Sequence, residues 1–425
     1  MRVEEASQLI SISSEDFAEI LRKHGMFRAA RVGGMRAMLA RHDLSRFDLR
    51  NCDLSYADMT GVSLNGVDAR GALLNYANLF GADLRFCNLQ GAQLMRADLR
   101  GACLRGATLI GTDMVGADLR EGLLAGTEKN GNIVPLHKDW PIHESGGADF
   151  SGANLTDAKL SGAVAVGTKF SDATMRGCKI IRARLDGADF SGANLEGADL
   201  SQCDLSTVNM RGAVLINVAL NIASLQQANI INAMTNLPLG PTAKDLPVSL
   251  EQLIKRHRRW VDTDGAEGQQ LDISGHDMRG TKLFAYARLS LVVAEDAIFY
   301  GLNLMESQLQ AAFLRNSDMR HIMGYHVDFR GADMCRVRLT NADLREARFD
   351  SFVSSEGRMM RTELSKANFR YADLSGARFR QAKLDGTDFS YANLLNADLT
   401  DVDTSTAIFT GARLSVSQRA LLDVD

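Results

Sequence analysis

The chain has 425 residues, 45% of them hydrophobic, with 48 Lys and Arg against 52 Asp and Glu and a formal net charge of −4. That is enough apolar material for a long core, and the charge is too close to balance for a strongly basic nucleic-acid binder or a polyacidic surface. Nowhere do eighteen consecutive residues stay apolar, which argues against a membrane-spanning helix.

Residues 1–38 form a predicted cap and start signal. Met1 to Phe17 carries Glu4, Glu5, Glu15 and Asp16 and no long apolar stretch, so it lacks the pattern of a secretory signal. Asp16 to His24 aligns without a gap on Ser249 to His257, and each copy places a capping residue three positions before Glu19 or Gln252. Phe17, Ile20 and Leu21, like Leu250, Leu253 and Ile254, fall on one helical stripe, which predicts a short amphipathic helix over an open end of the structure that follows. His24 and Phe27 then precede Gly33, Gly34 and the apolar Leu39; His257 and Trp260 precede Gly265, Gly268 and Leu271; His137 and Trp140 precede Gly146, Gly147 and Phe150. We take these as three structural start signals in which the aromatic plugs the core.

From residue 39 to 235 an apolar residue returns every fifth position, first from Leu44 to Leu124 and then from Phe150 to Ile230, with lapses at Ala69 and Ala165. Two residues before each centre the side chain is small, as at Ala77, Ala82, Ala92 and Ala97. Neither the helical period of 3.6 nor the strand period of 2 fits. A loop is expected at about 125–147, and a linker with the second capping helix at 236–270. A second run covers 271–414, and Ser415 with Gln418 opens a C-terminal cap over 415–425. In that second run Phe329, Phe349, Phe369, Phe389 and Phe409 recur every twenty residues, so four five-residue units should complete one coil with each Phe beneath the next.

Segments such as Gly81-Ala-Asp-Leu-Arg85, Gly187-Ala-Asp-Phe-Ser191 and Tyr371-Ala-Asp-Leu-Ser375 resemble the pentapeptide repeat family. The resemblance implies an all-β solenoid, a right-handed quadrilateral β-helix with four repeats per coil, here with short capping α-helices. It says less about function, because one repeat architecture serves many roles.

Chemistry is hard to find in this pattern. The recurring Asp and Asn suit the turns, where short polar side chains bond nearby backbone. No phosphate-binding, hydrolase, zinc-protease or dinucleotide motif is present, so the chain is expected to be no enzyme and to need no cofactor. His321 and His326 are five residues apart with no completing ligands, which argues against metal. Cys52, Cys87, Cys178 and Cys203 occupy the small inward position, and their spacing supports no disulfide framework.

A surface signal remains. Arg338, Arg358 and Arg378 stand twenty residues apart, on the face centred on Met319, Leu339, Met359 and Phe379, with Arg320, His321, Arg336, Arg361 and Arg380 on or beside it and Glu356 as the one acid counted there. This predicts a basic stripe for an acidic protein partner. Tyr56 with Tyr76, and Tyr371 with Tyr391, form secondary outward ladders. The leading expectation is a cytoplasmic, non-enzymatic scaffold or adaptor, with nucleic acid disfavoured by the net negative charge. The family resemblance adds two alternatives, a DNA-mimicking topoisomerase-binding protein and a secreted bacterial effector.

Overall fold

The structure is a computed structural model that describes residues 9–120, 125–127, 133–135, 147–221, 225, 227–354 and 357–422. The chain divides into two compact units, Met1–Leu237 and Pro238–Asp425. His137 and Trp140, the middle start signal, lie outside the described residues.

Within each unit the five-residue pattern becomes a wound backbone. Asp58, Asn78, Asp98 and Asp118 are joined in sequence by parallel bridges, and the neighbouring columns step by the same twenty residues. The Leu79 amide donates to the Asp98 carbonyl one coil onward at 2.8 Å, and Ala82 turns the corner by donating to the Leu79 carbonyl at 3.0 Å. The corner residue has positive φ, which is why glycine recurs there, as at Gly81 (63°). Centres such as Leu79 and small residues such as Ala77 are fully buried, and each Leu removed from water contributes roughly 2 kcal/mol.

In unit one, helix α1 (Ser14–Arg28) starts earlier than the sequence alignment suggests. Its N-cap is Ser13, whose Oγ accepts the Asp16 amide at 3.0 Å, so Asp16 lies inside the first turn and is not the cap. Ser13, four residues before the buried Phe17, takes the capping role that serine and aspartate fill equally well. Short strands β1 (Ala125–Thr127) and β2 (Ile133–Pro135) pair antiparallel beyond the first run. The coil ladder resumes by pairing Thr108 with Asp149, Asp113 with Asn154 and Asp118 with Lys159. Phe150, Phe170 and Phe190 stack at 5.2 and 4.8 Å between ring centroids.

In unit two, helix α2 (Leu250–Asp262) is capped by Ser249, whose Oγ accepts the Gln252 amide at 3.4 Å. The closing helix α3 (Val416–Leu422) has a reciprocal box: Gln418 N–H donates to Ser415 Oγ at 3.3 Å, and Ser415 N–H donates to Gln418 Oε1 at 2.8 Å. The Gln418 amide also donates to the carbonyls of Leu394 and Ala397 at 2.7 and 2.8 Å, satisfying acceptors of the last full coil.

The Phe ladder needs one correction. Phe329 stacks on Phe349 at 5.4 Å, but the ring stacked on the other side of Phe349 is Phe379, at 4.8 Å and 8°. Phe369 meets Phe349 edge-on at 5.6 Å and 88°, and stacks instead with Phe389. The cause is a hairpin, β3 (Phe352–Val353) and β4 (Met359–Met360), paired antiparallel. Across it the ladder steps by thirty residues, Arg338 to Asn368 and Arg348 to Arg378, before returning to twenty. Phe369 therefore sits under Leu339 and looks across the core at Phe349.

Candidate partner-binding surface

A recurring set of Asp–Arg pairs closes inside single repeats. Where Asp precedes the centre and Arg follows it, the carboxylate accepts the backbone amide two residues on, and the guanidinium folds back onto the same carboxylate. Asp98 accepts the Arg100 amide at 3.2 Å, and Arg100 donates through Nε at 2.8 Å and Nη2 at 2.7 Å. Asp48 with Arg50, Asp68 with Arg70, Asp118 with Arg120, Asp328 with Arg330 and Asp343 with Arg345 repeat the arrangement. Forked pairs of this kind favour the ionised carboxylate, and Asp98 and Asp343 are held below the ordinary 3.8 by their arginines, against the upward push of burial.

The predicted arginine stripe does not survive this geometry. The thirty-residue step places Arg338 in the column of Asp318 and Asn368, and Arg378 in the column of Arg348 and Asp398, while Arg358 leaves the coil with the hairpin. Counting Glu356 as the one acid also missed the columns' own carboxylates. Arg320 is buried and paired with Asp318 at 2.9 Å, and Arg338 reaches the same carboxylate at 2.9 Å. Burial pushes Asp318 up, but those two arginines outweigh it and keep its carboxyl below 3.8. Arg378 lies 3.4 Å from the buried Asp350, and Arg380 lies 3.2 Å from Asp401. His321 stands at a corner, its ring edge against Tyr300 at 5.4 Å.

Arg336, Arg358 and Arg361 are exposed, and none has a carboxylate within ion-pair distance among the described residues. Two of them flank the hairpin. Its base is tied by Thr362, whose Oγ1 donates to the Asp350 carbonyl and accepts the Gly331 amide, both at 2.8 Å. Gly331 is needed there: a Cβ would come within 2.9 Å of Phe352 Cβ and 3.2 Å of Met360 Cβ. Phe352 lies beneath the Arg330 guanidinium at 5.7 Å, while Val353 and Met359, 56% and 53% exposed, point away from any core. An exposed apolar pair, framed by arginines with no ion-pair partner among the described residues, thus stands on a hydrogen-bonded base. The sequence signal was there in Ser354, which stands where the five-residue period calls for an apolar centre and opens the polar run Ser354-Ser355-Glu356-Gly357.

The tyrosine ladders are self-packed. Tyr56 and Tyr76 stack at 4.9 Å and 6°, with Arg28 over Tyr56 at 4.9 Å, and Tyr371 and Tyr391 stack at 5.2 Å and 6°. All four have positive φ, between 58° and 67°. A bulky side chain in that conformation costs about 1 kcal/mol or more, which mutual stacking offsets.

The model of pentapeptide repeats matches in 8 copies, over residues 36–66, 63–101, 77–114, 148–187, 168–206, 325–351 and 362–403. The chain belongs to the pentapeptide repeat family. The break in this family match between 351 and 362 coincides with the β3–β4 hairpin. Among solved structures, full-length QnrB1, a plasmid-mediated fluoroquinolone resistance protein, is 20% identical, with 47% of this chain and 89% of that one covered and a TM-score of 0.26. HetL of the cyanobacterium Nostoc sp. strain PCC 7120, involved in heterocyst differentiation regulation, is 21% identical over 93% of each chain, with a TM-score of 0.15. Rfr23 of the cyanobacterium Cyanothece 51142 is 24% identical over 30% of this chain and 87% of its own, with a TM-score of 0.19. No curated protein sequence matches the chain.

Among the described residues no helix is long and apolar enough to cross a membrane, and no group of three or more His, Cys, Asp or Glu is placed to hold a metal ion. All six cysteines are unpaired; burial raises the Cys87 thiol to about 12, and Cys178 and Cys203 donate to the carbonyls of Ala158 and Ile180 at 3.1 and 2.9 Å. Cys87, Cys178 and Cys203 are core residues, and burial leaves their thiols little thiolate character.

Proposed function

We propose that this pentapeptide repeat protein is a non-enzymatic cytoplasmic scaffold whose two units are right-handed quadrilateral β-helices, and that it holds an acidic protein through the corner carrying the β3–β4 hairpin. The observation that carries this reading is the exposed Val353 and Met359 framed by Arg358 and Arg361, on a hairpin whose base is fixed by Thr362. The columns of bridged turns with filled interiors support the solenoid assignment, and unpaired thiols suit a reducing compartment. A binder rather than an enzyme is favoured because the repeated carboxylates are spent on their own turns and arginines. The same pairing argues against DNA mimicry, which requires a predominantly negative surface.

Deleting residues 352–361 joins Ser351 to Thr362 and leaves a regular twenty-residue coil. This variant is expected to keep the parent circular dichroism and melting temperature while its recovery of partner proteins from native lysate falls at least tenfold. R358N/R361N is expected to lose part of the binding, and the loss should shrink as salt rises, because exposed charges are screened over ~8 Å at physiological ionic strength. Undiminished recovery by the deletion variant would move the contact off the hairpin. Loss of the fold would show that the hairpin is a structural brace.

A further inference from the structure

The two capping helices repeat one arrangement down to single atoms. His24 and His257 are fully buried, and the Nδ1 of each accepts a backbone amide from the first coil, Ala37 N–H and Leu271 N–H, both at 3.0 Å. One residue earlier, the carbonyls of Lys23 and Arg256 accept the amides of Met35 and Gln269 at 3.0 and 3.3 Å. The rings stack on Phe27 and Trp260 at 5.7 and 5.9 Å. These contacts make Ala37 the counterpart of Leu271, and Leu39 that of Ile273, a shift of two from the pairing of Leu39 with Leu271 suggested by the sequence. Accepting an amide at Nδ1 requires an unprotonated nitrogen there, so each imidazole is neutral with its proton on Nε2, which is buried without a hydrogen-bond partner among the described residues.

We infer that His24 and His257 are proton-sensitive latches, each holding its helix on the first coil only while the imidazole is neutral, so that acidification releases both caps. A second proton would turn the Nδ1 acceptor into a donor facing Ala37 N–H or Leu271 N–H and place a cation in the core. The surroundings offer little compensation. Around His24, Asp53 is already paired with Arg28 at 3.2 Å, and Arg28 and Arg36 oppose a further positive charge. Around His257, Asp262 is taken by Arg288 at 2.5 Å and by Arg258 at 3.7 Å, and Glu267 by Arg259 at 2.7 Å. Burial lowers both imidazoles below 6.5, outweighing the Asp53 carboxylate and the Ser55 backbone at His24 and the backbone of Ser290 and Leu289 at His257, which favour the charged form.

The sign follows from linkage. A histidine with a depressed folded pKa contributes full stability above about pH 6.5, and each pH unit below that favours the open cap by about tenfold, until the folded pKa is reached. Neighbouring carboxylates do not blur this window. Burial pushes Asp53 up, but the hydrogen bonds from Ser55 and Arg28 outweigh it, and Asp43 is held down by Ser45, so both stay below 3.8.

Amide hydrogen exchange of the full chain between pH 7.5 and 5.0, corrected for intrinsic rates, tests this. Protection of the Ala37 and Leu271 amides is expected to fall about tenfold per pH unit below about 6.5, while mid-coil amides such as Ala77 and Ala342 hold theirs. H24Q and H257Q keep a neutral acceptor, and each should flatten the pH dependence at its own cap only. Constant protection of Ala37 and Leu271 across the range, or the same decline in the parent and the Gln variants, would overturn the inference. If a Gln variant does not fold, the exchange profile of the parent decides alone.

Discussion

Replacing Phe369 with Asp is expected to unfold unit two while unit one survives. Phe369 is fully buried, edge-on to Phe349 and stacked on Phe389 at 5.1 Å. Removing such a ring costs about 3–5 kcal/mol, and the carboxylate left among apolar side chains adds several more, against a typical domain stability of about 5–15 kcal/mol. The cores of the two units are separate clusters, one from Phe17 to Ala233 and the other from Leu250 to Leu414. Limited proteolysis of F369D should therefore leave a resistant fragment ending near residue 237 and digest the rest. Loss of both units would show that they fold together; survival of both would mean that Phe369 is not part of a closed core.

The second large effect is expected at Gly268, where α2 meets the backbone that follows it. Its φ is +87°, and a Cβ built on it would lie 2.2 Å from the Arg256 carbonyl oxygen and 2.7 Å from the Trp260 nitrogen. Both neighbours are helix backbone and cannot yield without moving the cap. G268A should cost about 1–2 kcal/mol for the left-handed conformation and about 1–3 kcal/mol more for the clash. Gly280 supplies the control, with φ +80° and nothing within 4 Å of its Cβ. In chemical denaturation G280A should show the conformational cost alone. Equal losses in the two variants would mean that the helix does not press on Gly268.

The coil itself was legible because its signal is periodic: a small residue, a turn-forming Asp or Asn and a large centre recur at fixed offsets, and the structure buries the first and last of these. The candidate surface was not. The hairpin after Asp350 adds ten residues, a multiple of five, so the apolar centres keep their phase and Phe369 still falls twenty residues after Phe349. Periodicity alone cannot detect an insertion that preserves it. Arg338 and Arg378 consequently looked aligned, and their carboxylate partners Asp318 and Asp350, three-dimensional neighbours at sequence separations of twenty and twenty-eight, went uncounted. The caps show the reverse case. Their His, aromatic and Gly residues stood out in sequence, yet the hydrogen bond that makes each histidine matter spans thirteen or fourteen residues and has no local pattern.

The hairpin also shows how such a chain converts length into angle. In the proposed four-sided solenoid, where the twenty-residue step of the bridges completes one revolution, an insert of five that bulges from a corner turns all later sequence by a quarter relative to its uninterrupted course. The ten-residue insert at the hairpin gives a half turn, whereas the twenty-one extra residues before Asp149 amount to a full revolution and a one-residue change of phase. Residues that share a wall before and after the hairpin, such as Arg348 and Arg378, are ones that the linear repeat would assign to opposite walls. An insertion or deletion in this scaffold therefore re-pairs residues that the repeat count would keep apart, with no change to a single repeat.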